Sequence, residues 1–292
     1  MIRPPWTVPL TQAQHDLVLF GLVAAGLALL ATLVRVRLTA QESYGRFRVA
    51  SLTANAVVAI AFVSYVVIAL AFVLGYRATG PADALVYTPL PVARYAWAVR
   101  YMDWVVTVPL LVIELVAISA LGEPASTRTR RIGLVSAVAM ISCGFLGAFV
   151  IDSGRSMLGY GLMGLAGAVW FAVLYVLFFR AMLTSLPRLP VAARSSYRSA
   201  IVLLLVTWLA YPIVYGLLGV VAGGAIAVIG QLALCAADLV AKVGFGVLVQ
   251  RTAVLLSRNE EDLDPARPRR PRTPVNDSIY VADSRTLGPA DD

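Results

Sequence analysis

The chain has 292 residues, is 60% hydrophobic and only 14% charged, whereas a soluble domain carries about 25% charged residues. With a mean hydropathy of +0.81, this composition predicts a membrane protein and argues against a soluble enzyme. The formal charge of +8 does not point to nucleic acid, because the basic residues sit in short runs between long apolar stretches rather than on one polar domain.

Seven apolar stretches reach the roughly 20 residues that cross a bilayer. They run over Leu17–Val34, Val49–Leu74, Tyr95–Leu121, Ile132–Ile151, Leu158–Leu183, Ala200–Val220 and Ala222–Leu256. Together they predict an all-α fold, a seven-transmembrane-helix bundle over residues 1–256. The start, with Arg3, Pro4 and Pro5, has no small-residue cleavage site after the first apolar run, so that run is read as a helix and not a signal peptide. The lone histidine, His15, is expected at a wet helix end. Cys143 and Cys235 lie inside apolar stretches and read as small buried hydrophobes. One histidine and two scattered cysteines give no basis for a metal site.

Arginine placement predicts orientation. Arg35, Arg37, Arg46, Arg48, Arg128, Arg130, Arg131, Arg180, Arg188, Arg194, Arg198, Arg251 and Arg258 fall on one side, and only Arg3, Arg77, Arg94 and Arg155 on the other. The positive-inside rule puts the N-terminus outside and the C-terminus in the cytoplasm, in a multi-pass protein of the cell membrane. Residues 257–292 turn rich in Pro, Asp, Glu and Arg and are expected to form a disordered cytoplasmic tail, either inert or a docking site for a partner.

Ionisable residues at membrane depth are costly and mark function by default. Arg100, Asp103 and Glu114 lie on the third helix, Asp238 and Lys242 on the seventh. Of 24 basic residues, Lys242 is the only lysine. Asp238 and Lys242, four apart, share a helix face. A self-neutralising ion pair is the plain reading, but a buried pair rarely repays its desolvation. A desolvated lysine is a good amine for a Schiff base with an aldehyde chromophore. Asp103 and Glu114 stand about three turns, or roughly 16 Å, apart along one face. Arg100 and Thr107 flank Asp103 there, and the set forms a graded path for protons; packing against other helices is the plainer alternative. Trp104 on the third helix and Trp208, Tyr211, Pro212 and Tyr215 on the sixth offer aromatic walls. Such a stripe is usually packing, but here it faces a lysine that could carry a polyene.

These segments resemble the microbial rhodopsins. The likeness covers residues 12 to 256 and rests on three motifs. The stretch Asp238-Leu239-Val240-Ala241-Lys242-Val243-Gly244-Phe245-Gly246 is similar to the family's retinal-lysine helix. Trp208, Tyr211 and Pro212 match its W-x-x-Y-P pattern, and Arg100-Tyr101-Met102-Asp103-Trp104 through Thr107 and Pro109 matches R-Y-x-D-W-x-x-T-x-P. The resemblance implies all-trans retinal on Lys242, in a pocket of Tyr65, Tyr101, Trp104, Leu111, Trp208, Tyr211, Pro212, Tyr215 and Ala241. It implies Asp103 as counterion and proton acceptor with Thr107 as its hydrogen-bond neighbour. Asp238 would be the second counterion, bonded to Tyr65, Arg100 the gate of the outer half-channel and Glu114 the proton donor. It also implies a homo-oligomer, and green absorption from Leu111 at the tuning position. Aligned on Leu174-Tyr175, Met163 stands where antenna-binding relatives have glycine, which implies no carotenoid slot; the neighbouring Gly164 leaves a one-residue slip open. Two departures stand out. Ser64 replaces the histidine that proteorhodopsins pair with the counterion, and Gly230 and Gln231 stand where a glutamate would release protons.

The function expected is a light-driven outward proton pump in the lipid bilayer, a transporter and not an enzyme. A chloride pump would need a neutral residue at 103, and a sodium pump Asn there and Gln at 114. The alternative is a photosensor signalling through the tail. Sensors of this family often lack a carboxylate at the Glu114 position.

Overall fold

The computed structural model describes residues 1–39, 43, 47–81 and 83–263. Arg46 of the arginine set and residues 264–292 of the expected tail lie outside the described residues.

Seven helices form the bundle: α1 Gln12–Thr39, α2 Phe47–Leu74, α3 Tyr95–Ala117, α4 Ala125–Phe145, α5 Met157–Ser185, α6 and α7. Helix α6 comes in two pieces, Val191–Trp208 and Ala210–Val220. Helix α7 runs Gly224–Leu239, widens into a π-turn at Val240–Gly244 and continues over Phe245–Leu263. All but α3 are long and apolar enough to cross a membrane on composition alone. Helix α3 falls short because it carries Arg100, Asp103 and Glu114, all buried. Large apolar side chains such as Phe20, Leu158, Val206 and Ile213 are exposed around the bundle. That is the surface a lipid-facing helix presents, since its backbone bonds are satisfied internally.

Two breaks in helix geometry have local causes. Pro212 has no N–H and its ring crowds the carbonyl of Trp208, four residues back. The chain responds at Leu209, whose N–H bonds Val206 O at 3.3 Å instead of the carbonyl a turn further back. The π-turn at Val240–Gly244 contains Ala241 and Lys242; such one-turn bulges re-aim a side chain without ending the helix.

A small antiparallel sheet, ordered β1-β3-β2, caps one end of the bundle: β1 Leu10–Thr11, β2 Tyr76–Thr79 and β3 Val86–Pro89. Leu10 faces Tyr87, and Tyr76 faces Pro89. The sheet corrects one expectation. His15 is not wet but 6% exposed, because Tyr87 folds over it with rings stacked at 3.9 Å, and Phe72 stacks on it at 4.9 Å.

Helix α3 ends at Ala117, short of Leu121, and α7 extends to Leu263, past the boundary placed at 256. The run after Ser257 is polar, but Arg and Glu are strong helix formers, so leaving the apolar layer does not end the helix. Both cysteines are free.

Candidate functional site

Helix α7 carries the site's central pair. Asp238 and Lys242 lie one turn apart, both buried, with Lys242 Nζ 3.4 Å from Asp238 Oδ1. Lys242 Nζ also bonds Asp103 Oδ2 from α3. Asp238 gathers donors from three further helices. Its Oδ1 accepts from Trp104 Nε1 at 3.0 Å and Tyr211 Oη at 2.9 Å. Its Oδ2 accepts from Tyr65 Oη at 3.0 Å and Arg100 Nη1 at 3.2 Å. Two cations and two carboxylates therefore close into one buried, balanced cluster, the condition under which charges tolerate burial. Asp103 keeps one oxygen, Oδ1, without a partner.

Arg100 is the most elaborately held member. Its Nη1 also reaches Tyr65 Oη at 3.1 Å, with the guanidinium 5.3 Å from that ring's centroid. Its Nε and Nη2 donate to Gln231 Oε1 at 3.2 and 2.8 Å, and Nη2 approaches Cys235 Sγ at 3.3 Å. Gln231, Cys235 and Asp238 follow the i, i+4, i+7 spacing of one helix stripe, so a single edge of α7 receives the whole guanidinium. Neither Gln231 nor Cys235 carries a motif of its own; their spacing from Asp238 is the signal that the sequence offers.

Thr107 hydrogen-bonds Asp103 through the main chain. Its hydroxyl donates to the main-chain carbonyl of Asp103 at 2.9 Å and not to the carboxylate, the back-bond open to any threonine inside a helix. Glu114 is fully buried, and neither of its carboxyl oxygens has a partner. It stands on the Asp103 side of α3, toward the arginine-rich end of the bundle.

A cavity of about 530 Å³ lies between α3, α4, α5 and α6. Tyr101, Trp104, Trp208, Tyr211, Pro212 and Tyr215 line it, with Met163 on the α5 side. Lys242, Ala241, Leu111 and Tyr65 are not in its wall. Trp104 and Tyr211 line the cavity, while their N–H and O–H reach Asp238, 3.4 Å from Lys242 Nζ. The volume falls within the 300–1,000 Å³ typical of small-molecule sites, and the wall is aromatic and apolar, with two of its residues bonded to the carboxylate beside Lys242. An elongated apolar aldehyde fits this arrangement. Among the described residues there is no group of His, Cys, Asp or Glu able to hold a metal.

Residues 14–256 match the bacteriorhodopsin-like protein family. The chain belongs to this family, the microbial rhodopsins. Its chromophore is therefore retinal. The chain is 32% identical to bacteriorhodopsin-I of Haloarcula marismortui over 218 residues, covering 72% of this chain and 80% of that protein. It is 33% identical over 154 residues to sensory rhodopsin-2 of Haloarcula vallismortis, covering 52% and 61%. The crystal structure of xanthorhodopsin, described as a light-driven ion pump with dual chromophore, superposes with a TM-score of 0.74 at 26% identity, over 86% of this rhodopsin and 98% of that chain.

The cradle around Arg100 makes a testable claim on stability. Gln231→Leu strands two N–H groups of a buried guanidinium, each worth about 1.5–3 kcal/mol when bonded. The purified pigment should lose its colour at a clearly lower temperature than the wild type, measured as the midpoint of thermal bleaching.

Proposed function

We propose that this rhodopsin moves protons outward across the cell membrane when it absorbs light, with retinal carried on Lys242. One observation supports the reading above the rest: two buried carboxyl groups, Asp103 against Lys242 Nζ and Glu114 about three turns away, mark a line along one helix with the lysine at its Asp103 end. The arginine distribution supports an N-terminus outside, so that Asp103 faces the outer half and Glu114 the cytoplasmic half.

Retinal supplies light absorption and a change of shape. The rest falls to the protein. Asp103 takes the proton from Lys242 Nζ; its second oxygen, free of partners, leaves room for the change. Asp238 stays tied to Tyr65, Trp104, Tyr211 and Arg100 and so remains the fixed negative charge of the cluster. Arg100 stands on the outer side and blocks the proton's path back. Glu114, without a polar partner, is accommodated as a neutral acid in its apolar surroundings and returns a proton to Lys242 Nζ from the cytoplasmic side. Leu111 supports green absorption. Assembly into a homo-oligomer and a partner for the tail belong to the same proposal.

Light-driven acidification of a suspension of expressing cells, abolished by a protonophore, tests the function directly. Lys242→Ala should give colourless protein with no acidification, since no other lysine exists; a visible band surviving that change refutes the attachment. Asp103→Asn should redden the pigment and stop transport, because removing the negative charge beside Nζ lowers the excitation energy of a chromophore whose positive charge moves away from Nζ on excitation.

In Glu114→Gln, the photoproduct in which Nζ has lost its proton should form normally and decay at least tenfold more slowly, with azide restoring the rate. This is read by flash absorption. Unchanged decay and unchanged pumping would instead favour a photosensor, the function named in the sensory rhodopsin-2 relative.

A further inference from the structure

The cavity beside the charged cluster reaches the lipid-facing surface between α5 and α6. Gly161, Leu165 and Ala168 of α5 and Pro212, Gly216 and Val220 of α6 all line it and are all exposed. Five glycines around this opening divide into two groups. At Gly164 a β-carbon would come within 2.8 Å of the Tyr215 ring, at Gly147 within 2.5 Å of the Tyr215 hydroxyl, and at Gly219 within 2.6 Å of the Tyr160 ring. These three seat a pair of tyrosines. At Gly161 and Gly216 a β-carbon would meet nothing within 4 Å. Packing explains the first group and not the second. A glycine inside a helix weakens it relative to alanine, and here no neighbour requires one.

The tyrosine pair bridges the same two helices. Tyr160 and Tyr215 stack at 4.1 Å with an interplanar angle of 14°. Tyr160 Oη donates to the main-chain carbonyl of Tyr215 at 2.6 Å, and Tyr215 Oη donates to that of Tyr160 at 3.1 Å. The clasp is reciprocal and stands at the edge of the opening. Toward the sheet end the cavity is covered by the N-terminal segment. Trp6 stacks on Phe149 at 4.5 Å, and the Ile2 N–H bonds Arg155 O at 2.9 Å. The lipid side is thus the open face, and an apolar polyene is dissolved in the bilayer rather than in water.

We propose that the gap between Gly161 and Gly216 is the doorway by which a membrane-dissolved polyene aldehyde reaches Lys242, and that the Tyr160–Tyr215 clasp is its latch. The proposal rests on the reading that Lys242 binds retinal. Glycine on both sides keeps the doorway free of side chains, and release of the clasp lets α5 and α6 part enough for a ring to pass. Colour then develops when the aldehyde carbon bonds Lys242 Nζ, the aldehyde oxygen leaving as water with two protons from the ammonium group.

The test uses the full chain expressed without retinal and held in its membranes. All-trans retinal is added and growth of the visible band is timed. Gly161→Phe/Gly216→Phe fills the doorway at two positions where a β-carbon meets nothing within 4 Å. It should slow colour formation at least tenfold. Tyr160→Phe keeps the stack and removes one of the two hydrogen bonds, and should speed colour formation severalfold. Gly122→Phe, at an exposed glycine away from the cavity, should match the wild type. Rates within twofold of wild type for the double variant overturn the doorway. If that variant fails to accumulate, the Tyr160→Phe rate decides alone, and no acceleration overturns the latch. A wild-type chain that never colours refutes the binding of retinal itself, a different failure from equal rates in all variants.

Discussion

Asp238 is the constraint on which the rest of the site depends. A membrane interior offers no water to solvate an ammonium or a guanidinium, and this chain buries one of each within reach of the same carboxylate. Helix α2 contributes Tyr65, α3 contributes Arg100 and Trp104, α6 contributes Tyr211, and α7 supplies Asp238 itself with Lys242 a turn away. Four helices therefore meet at one side chain. Their register is set by hydrogen bonds whose loss would leave a buried charge uncompensated. Apolar packing in a bilayer is weakly directional, because lipid is as apolar as leucine. The polar hub provides the specificity that such packing lacks.

The two acids of α3 are treated in opposite ways by their surroundings. Asp103 is drawn into the hub through Lys242, while Glu114 is left with no partner at all. Opposite environments for two like groups are what a directional proton path requires: one acid sits where a charge is stabilised, the other where only the neutral form is accommodated. The resemblance to pumps and to sensors alike leaves the choice between transport and signalling to this asymmetry, and it is the ground on which transport is preferred.

Most of the bundle was legible because a span of apolar residues is a long and redundant signal. Helix α3 has the weakest hydropathy of the seven, since Arg100, Asp103 and Glu114 depress it, yet its apolar run from Tyr95 is still long enough to stand out. What the sequence did not disclose was mostly short-range or cross-chain. Strands of two to four residues are too brief to show alternation, so neither the sheet nor the burial of His15 beneath it shows in the sequence. Thr107 could bond either the side chain or the main chain of Asp103, and nothing in the spacing distinguishes them. Gln231 and Cys235 lie on the Asp238 stripe, but only the position of Arg100 on another helix turns that stripe into a cradle. Tyr160 carries no motif, and its stacking on Tyr215 depends on Gly147, Gly164 and Gly219 together.

The break at Leu209 gives the second piece of α6 a particular mechanical character. Ala210–Val220 is a short rod, detached from the helix before it by the proline-driven offset. Tyr211 fastens the rod to Asp238, and one turn on, Tyr215 fastens it to α5. A stiff rod pinned at two points passes displacement from one pin to the other. A shift at the Asp238 pin and a shift in the contact between α5 and α6 are therefore two ends of one movement.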